Sequence, residues 1–256
     1  MKQAISYTII FLGIQLLIGG LVTGVLKLTG HGQLLASPYT NIATLVLFSL
    51  TTIIVFIARR WAVASKSYLV SRPWGVLFWS VMAALGVVAP SIFVQELMPE
   101  LPNLVEAEMG QIMSVRGGYF VICLLAPLTE ELVMRGAVLR ALLLWKPEQR
   151  WAMIAVSALF FALIHMNPAQ MPHAFVMGLL LGWMYMRTGS IVPGVAFHWA
   201  NNTVAYLLYR AYPSPDIKLI DILGDQTHVL MAVGFSLCIL LPAIYQLAIR
   251  MKREES

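Results

Sequence analysis

Residues 117–145 read GGYFVICLLAPLTEELVMRGAVLRALLLW, an apolar stretch interrupted by two carboxylates and two arginines. About 20 apolar residues are enough for a helix to cross the hydrocarbon core of a bilayer, so this stretch is long enough to span it. Each ionisable group inside a span costs about 2.5–3.5 kcal/mol on insertion scales. The stretch therefore predicts a transmembrane helix whose charged middle serves a structural or chemical purpose.

Apolar blocks of similar length recur along the chain. Of its 256 residues, 59% are hydrophobic and only 11% are charged, too few charges to cover the surface of a soluble domain. We expect an all-α fold, a polytopic bundle of about eight transmembrane helices that forms a single membrane domain over residues 1–256. The expected spans are residues 5–27, 40–58, 74–95, 117–145, 151–167, 172–187, 190–210 and 228–249.

The basic residues predict the orientation of the bundle. Lysines and arginines cluster after the second span, in residues 59–72, and at the C-terminus, whereas the loop of residues 96–108 is acidic. Because cytoplasmic loops are enriched in Lys and Arg, both termini are expected in the cytoplasm, and the protein in a bacterial cytoplasmic membrane. The net charge of +5 is thereby explained without a nucleic-acid partner.

Three predicted spans carry polar motifs. In chain order these are Glu130-Glu131-x-x-x-Arg135, Phe161-x-x-x-His165 and His198-x-x-x-Asn202. Glu131 and Arg135 are four residues apart and can pair within one helix, while Glu130 is turned about 100° away. At about 1.5 Å per residue, the motifs reach similar depths, and polar groups at matched depth draw helices together in lipid. We expect the three motifs to form one site.

The set of side chains is suited to hydrolysis. A carboxylate beside an imidazole can activate water, and a second imidazole and an amide can stabilise an oxyanion. Asn201, three residues after His198, could replace Asn202 as the amide donor. No serine or cysteine lies in an evident nucleophile motif, which favours water as the nucleophile.

A zinc ion is the alternative means of activating that water. Its ligands would be Glu130, His165 and His198, two imidazoles and a carboxylate, a ligand set found in catalytic zinc sites. The usual helical signature, with two histidines four residues apart around a glutamate, is absent from the sequence. A metal-free site is preferred, and zinc stays open.

The three ordered motifs resemble those of the CAAX protease and bacteriocin-processing family, which includes the type II CAAX prenyl endopeptidase. The resemblance marks residues 117–210 as a catalytic core of CAAX-protease type. It implies an α-helical intramembrane peptidase in which Glu130 acts as base, helped by His165, and His198 and Asn202 line the oxyanion hole. Glu131 and Arg135 would support the site structurally.

The expected function is therefore an intramembrane endopeptidase acting on a membrane-associated or lipidated peptide or protein. The alternative is a non-catalytic membrane protein that binds a peptide, such as a bacteriocin self-immunity factor. A proton-coupled transporter is disfavoured because the sequence shows no inverted repeat or paired broken helices.

Several residues are expected to have structural roles. Phe161 is assigned to packing, His31 and His173 to the membrane interface, and Cys123 and Cys238 to the core.

Overall fold

A computed structural model describes residues 1–63, 66–213 and 217–251 of the chain, and these residues form helices and no strand. Two short 3-10 turns, Gly32–Ala36 and Pro147–Gln149, join neighbouring helices. The helices are α1 (Lys2–Leu28), α2 (Pro38–Ala58), α3 (Lys66–Val70), α4 (Trp74–Glu96), α5 (Glu106–Ser114), α6 (Arg116–Trp145), α7 (Arg150–Ile164), α8 (Met171–Thr188), α9 (Val192–Ala211), α10 (Leu219–Leu223) and α11 (Gln226–Arg250).

The all-helical membrane fold is confirmed, but the predicted number of eight spans is not. Among the described residues, α1, α2, α4 and α11 are long and apolar enough to cross a membrane. The pair α5 and α6, bent by 112°, raises the number to five if it counts as one span. Helix α7 has only 15 residues, and α8 and α9 do not pass the same test of length and hydropathy. Each of these three helices still exposes large apolar side chains, such as Leu159, Val176 and Leu207, so the number of eight spans stays a prediction.

Helix α6 departs from α-helical geometry on both sides of its charged middle. The segments Phe120–Leu125 and Met134–Leu139 are π-helical and flank the α-helical segment Ala126–Val133. Pro127 has no N–H to donate to the preceding turn, which accounts for the loosening of the first segment. π-Helical insertions rotate the side chains that follow and are frequent at functional sites. Here they bracket Glu130 and Glu131.

Glycines allow the inner helices to approach closely. On α8, a Cβ at Gly178 would lie 2.8 Å from Cα of Ala158, and one at Gly182 would lie 2.8 Å from a methyl group of Ile154. Both neighbours are on α7, so the two glycines, four residues apart, form a small-residue stripe of the kind that packs membrane helices. This contact brings the backbone of α8 within reach of the charged middle of α6.

The ends of the bundle differ in charge. Helix α4 begins beside the guanidinium of Arg250, which lies 3.1 Å from an ideal Cβ position at Gly75. It ends at Glu96, whose carboxylate accepts a hydrogen bond of 2.6 Å from the backbone N–H of Leu219. A 23-residue helix is about 34 Å long. The basic end that contains Arg250 and the acidic end that contains Glu96 are therefore opposite faces of the bundle.

The two cysteines differ in environment. Cys123 on α6 is buried, as predicted, but Cys238 on α11 is exposed on the outer surface of the bundle, so its predicted core position is wrong. Helix α11 packs along α4 on one side only, and its remaining faces point outward.

Candidate active site

A buried ion pair lies at the centre of the three motifs. Nη1 of Arg135 donates to Oε1 of Glu131 at 2.8 Å, and the two side chains are 1% and 0% exposed. The predicted i, i+4 pairing on α6 is confirmed. An unpaired charge at this depth would be very costly. The charge of each side chain is therefore tolerated only because the opposite charge of the other side chain compensates it.

Helices α7 and α8 supply further contacts to Arg135. Its Nη2 donates to the carbonyl of Gly178 at 3.4 Å, and its guanidinium lies 4.2 Å from the centre of the Phe161 ring. The same ring meets His165 edge-on at 5.0 Å and His198 edge-on at 5.8 Å between ring centres. Phe161 is therefore a packing residue, as predicted, and it separates the arginine from both imidazoles.

His198 on α9 lies between the two adjacent carboxylates. Its Nδ1 is 3.3 Å from Oε1 of Glu131, and its Nε2 is 3.9 Å from Oε2 of Glu130. Because Glu131 is paired with Arg135 as a carboxylate, which can only accept, Nδ1 carries a proton and donates it to that hydrogen bond. In the neutral ring, Nε2 is then a proton acceptor that faces Glu130.

Glu130 connects this buried layer to a cavity of about 500 Å³. Its side chain is 21% exposed, although Oε2 itself is buried and makes no hydrogen bond to the described residues. The cavity is enclosed by α1, α2 and α5 together with parts of α6 and α7, and most of its surface is apolar. Residues that line it include Phe11, Gln15, Leu16, Asn41, Leu45, Phe48, Glu108, Met109, Ile112, Thr129, Glu130 and His165.

His165 is the second motif residue that reaches the cavity. It ends α7, and its Nδ1 lies 2.7 Å from the carbonyl oxygen of Phe161. A carbonyl only accepts, so Nδ1 carries the proton of the neutral ring and Nε2 is available as an acceptor to a group in the cavity. Glu130 and His165 therefore present two acceptor groups to the same space.

The third motif forms a deeper layer. Neither His198 nor Asn202 lines the cavity. Nδ2 of Asn202 donates to the carbonyl of Ile122 on α6 at 3.0 Å, and Oδ1 of the same side chain lies 3.5 Å from Nδ2 of Asn201. Ile122 belongs to the first π-helical segment of α6. Asn202 thus ties α9 to the irregular part of α6 and keeps one amide N–H for another acceptor.

The proposed zinc ligands do not form a metal site in this arrangement. No group of three or more His, Cys, Asp or Glu side chains with metal-binding geometry occurs in residues 1–63, 66–213 and 217–251. Nδ1 of His198 is directed to Glu131 at 3.3 Å, so only its Nε2 faces Glu130.

Comparison with known protein families agrees with this geometry. Residues 114–204 match the family model described as type II CAAX prenyl endopeptidase Rce1-like. This part of the chain is similar to an Rce1-like domain. The resemblance to the CAAX protease and bacteriocin-processing family is thereby confirmed, and it supports a protease of CAAX type as the kind of function. No curated protein and no solved structure matches the chain.

The residues that line the cavity lie partly inside and partly outside the segment that matches the Rce1-like model. The match covers α6, α7, α8 and most of α9, and so contains Glu130 and His165. The opposite wall, formed by α1, α2 and α5, lies before residue 114 and outside the matched segment. Glu130 and His165 therefore lie inside the matched segment, and most of the other residues that line the cavity precede it.

Asn167 is a site-supporting residue that the motifs did not indicate. It is fully buried beyond the end of α7, where its Oδ1 accepts from the N–H of Leu104 at 2.9 Å and its Nδ2 donates to Oδ1 of Asn103 at 2.9 Å. Between it and His165, Met166 has a φ of +50°, a conformation that is strained for a residue other than glycine. Asn167 therefore fixes the turn that positions His165. An asparagine shortly after the end of a predicted helix is the sequence signal that could have indicated this supporting role.

His173 is a third imidazole near the site. It was assigned to the membrane interface, but it lies close enough to His165 and His198 to interact with both electrostatically. Helix α8 starts at Met171, immediately after the turn that contains Asn167, and this short connection carries His173 inward.

Replacement of Asn167 tests the anchoring of this turn. Asn167→Ala removes two hydrogen bonds of a fully buried side chain, each with a net contribution of about 0.5–1.5 kcal/mol. We expect the purified protein to unfold at a clearly lower temperature in detergent. Asn103→Ala, which keeps the bond between Asn167 and Leu104, should have a smaller effect. Equal unfolding temperatures for Asn167→Ala and the unsubstituted protein would contradict the anchoring role.

Proposed function

We propose that the protein is an intramembrane endopeptidase in which Glu130 activates a water molecule for attack on a peptide bond. The observation that carries the proposal is the position of Glu130, at the boundary between an apolar cavity and a buried layer of charged and polar groups. The Rce1-like match supports the same kind of activity. The substrate would be a membrane-associated or lipidated peptide or protein.

In the first step, the water oxygen forms a bond to the carbonyl carbon of the scissile peptide, and Glu130 takes the proton that the water loses. His165 assists because the Nε2 of its neutral ring can accept a hydrogen bond from the same water. The Nε2 of His198 is 3.9 Å from Oε2 of Glu130, so an approach of about 1 Å lets it accept a hydrogen bond from the carboxyl group once this is protonated. His198 thereby keeps the proton close to the reacting atoms.

In the second step, the carbonyl is re-formed, the carbon–nitrogen bond breaks, and Glu130 returns its proton to the leaving nitrogen. The products are a carboxylic acid and an amine, and the base is regenerated. The negative charge on the tetrahedral oxygen needs hydrogen-bond donors. We assign this role to Asn202, whose amide keeps one N–H beyond its bond to Ile122. The family resemblance implies the same role for His198, but its Nδ1 proton is directed to Glu131 and its Nε2 faces Glu130, so we assign His198 to the proton on Glu130 instead.

The cavity wall opposite Glu130 supports an apolar substrate. Phe11, Leu16, Leu45, Phe48 and Met109 line it, and their side chains favour hydrocarbon over charge. A lipid-modified peptide or a hydrophobic segment of a membrane protein has the required surface.

Substitution of Glu130 tests the reaction. Glu130→Gln preserves shape and removes the base, so we expect cleavage to fall by about 10²–10⁴-fold while the protein remains in the membrane. The measurement compares the membrane peptidomes of cells that carry the unsubstituted protein, Glu130→Gln or the control Glu106→Gln. Glu106 is exposed at the start of α5 and does not line the cavity.

Two results of this comparison would contradict the proposal. Identical peptidomes for the unsubstituted protein and Glu130→Gln would remove the evidence for hydrolysis. Retention of a protective effect against a bacteriocin by Glu130→Gln, with no change in peptides, would indicate peptide binding without cleavage.

Chelation separates the two ways of activating water. We expect the purified enzyme to keep its activity within about twofold after treatment with EDTA or 1,10-phenanthroline, because Glu130 needs no metal to accept a proton. Metal content measured on the same sample provides the control. A loss of activity that zinc restores in stoichiometric amount would show that Glu130, His165 and His198 rearrange into a ligand set.

We also propose that both termini face the cytoplasm. The basic end of the bundle contains Arg187, which donates to the carbonyls of Ala248 and Met251 near the end of α11. The cavity instead extends towards the acidic end, where Val105 and Glu108 of α5 line it. With the basic end inside, the cavity opens towards the non-cytoplasmic face.

Cysteine labelling tests this orientation. In a Cys238→Ala background, Glu108→Cys should react with a membrane-impermeant maleimide on intact cells. Glu148→Cys, at the basic end, should react only after the membrane is opened. Both positions are exposed, so access depends on the side of the membrane rather than on burial. The reverse pattern of labelling would overturn the proposed orientation.

A further inference from the structure

Two amide side chains line the cavity from helices that precede the Rce1-like domain. Gln15 on α1 and Asn41 on α2 face the same space as Glu130 and His165. Within residues 1–63, 66–213 and 217–251, no hydrogen bond connects either amide side chain to another residue. An amide at membrane depth is costly without a partner, and each of these has both donors and an acceptor to offer.

The register of α1 against α2 places the two amides at similar heights. The rings of Phe11 and Phe48 are in edge-on contact at 5.1 Å between centres, which fixes the level of the two antiparallel helices. From this contact towards the acidic end, Gln15 is four residues along α1 and Asn41 is seven residues along α2. At about 1.5 Å per residue these are about 6 Å and about 10.5 Å, so the amides differ by about 4.5 Å in height.

This spacing fits the main chain of an extended peptide. An extended chain rises about 3.3 Å per residue, and each residue offers one N–H and one C=O. Two amide side chains separated by about 4.5 Å along the cavity can therefore form hydrogen bonds with neighbouring peptide groups. Thr44 also lines the cavity, but its hydroxyl proton is not available to a peptide because Oγ1 donates it to the carbonyl of Thr40 at 2.8 Å.

The occupant that these groups select is a peptide rather than a hydrocarbon chain. A prenyl or acyl tail placed against Gln15 and Asn41 would displace water from both amides without replacing its hydrogen bonds, which is unfavourable. The N–H and C=O groups of a peptide main chain can form hydrogen bonds with both amide side chains, so neither partner is left unpaired. The apolar remainder of the cavity, including Leu16 and Phe48, is available to substrate side chains.

We propose that Gln15 and Asn41 form a substrate-positioning subsite that hydrogen-bonds the main chain of the peptide beside the bond to be cleaved. The subsite rests on the proposed peptidase function and extends it to two helices outside the Rce1-like domain. It holds the scissile carbonyl at a fixed distance from Glu130. Its residues act by orienting the substrate and do not take part in proton transfer.

The test uses the full-length enzyme in detergent and a peptide whose cleavage is lost in Glu130→Gln cells, synthesised with an internally quenched fluorophore. The variants are Gln15→Leu, Asn41→Leu and the double variant. Gln3→Leu is the matched control, because Gln3 is an exposed glutamine on the same helix that does not line the cavity. Leucine favours membrane insertion, and thermal unfolding of each variant verifies the fold.

We expect KM to rise about 3- to 10-fold for each single variant, the factor that corresponds to one neutral hydrogen bond, with kcat changed by less than about twofold. Gln3→Leu should behave as the unsubstituted enzyme. N-methylation of one peptide group near the scissile bond should weaken binding to the unsubstituted enzyme several-fold and should have no further effect on the double variant.

Three results would overturn the subsite. The first is an unchanged KM in both single variants, and the second is an N-methyl penalty that persists in the double variant. The third is a KM that falls when leucine replaces either amide, because this would indicate a hydrocarbon chain in this region. Failure of the unsubstituted enzyme to cleave any peptide is a different result, because it rejects the peptidase function itself.

Discussion

The ion pair between Glu131 and Arg135 is the constraint on which the arrangement of the candidate active site depends. Both side chains are fully buried, so their charges must be compensated by protein groups alone. Three other helices supply these groups: Phe161 of α7, the carbonyl of Gly178 on α8 and His198 of α9. The same contacts that compensate the charges hold four helices in one arrangement, and they orient His198 towards Glu130.

Close packing of the backbone is a condition for that arrangement. An ideal Cβ at Gly194 on α9 would lie 2.8 Å from Oε2 of Glu131, and one at Gly178 would lie 2.8 Å from Cα of Ala158. A larger side chain at either position would displace a carboxylate or a helix. The glycines therefore matter because they let charged groups and backbones approach within hydrogen-bonding distance, and the π-helical segments of α6 adjust the side chains in between.

The cavity is formed partly inside and partly outside the segment that matches the Rce1-like model. That segment presents Glu130 and His165 to the cavity, and it places His198 and Asn202 behind them. The wall made by α1, α2 and α5 combines apolar side chains with the polar groups of Gln15, Asn41 and Glu108. Asn167, at the turn after His165, links these two parts because it bonds to residues just before α5.

The sequence by itself determined the helical membrane fold, the three motifs and the pairing of Glu131 with Arg135, because hydropathy and i, i+4 spacing are local properties of a chain. The predicted number of eight spans is not confirmed, because only four or five helices among the described residues are long and apolar enough to cross a membrane. Only the tertiary structure decided that Glu130 and His165 share a cavity with Gln15 and Asn41, and that Asn167 anchors the turn beside them. The four cavity residues are 26 to 150 positions apart in the sequence, and their arrangement follows from helix packing, which no local pattern encodes.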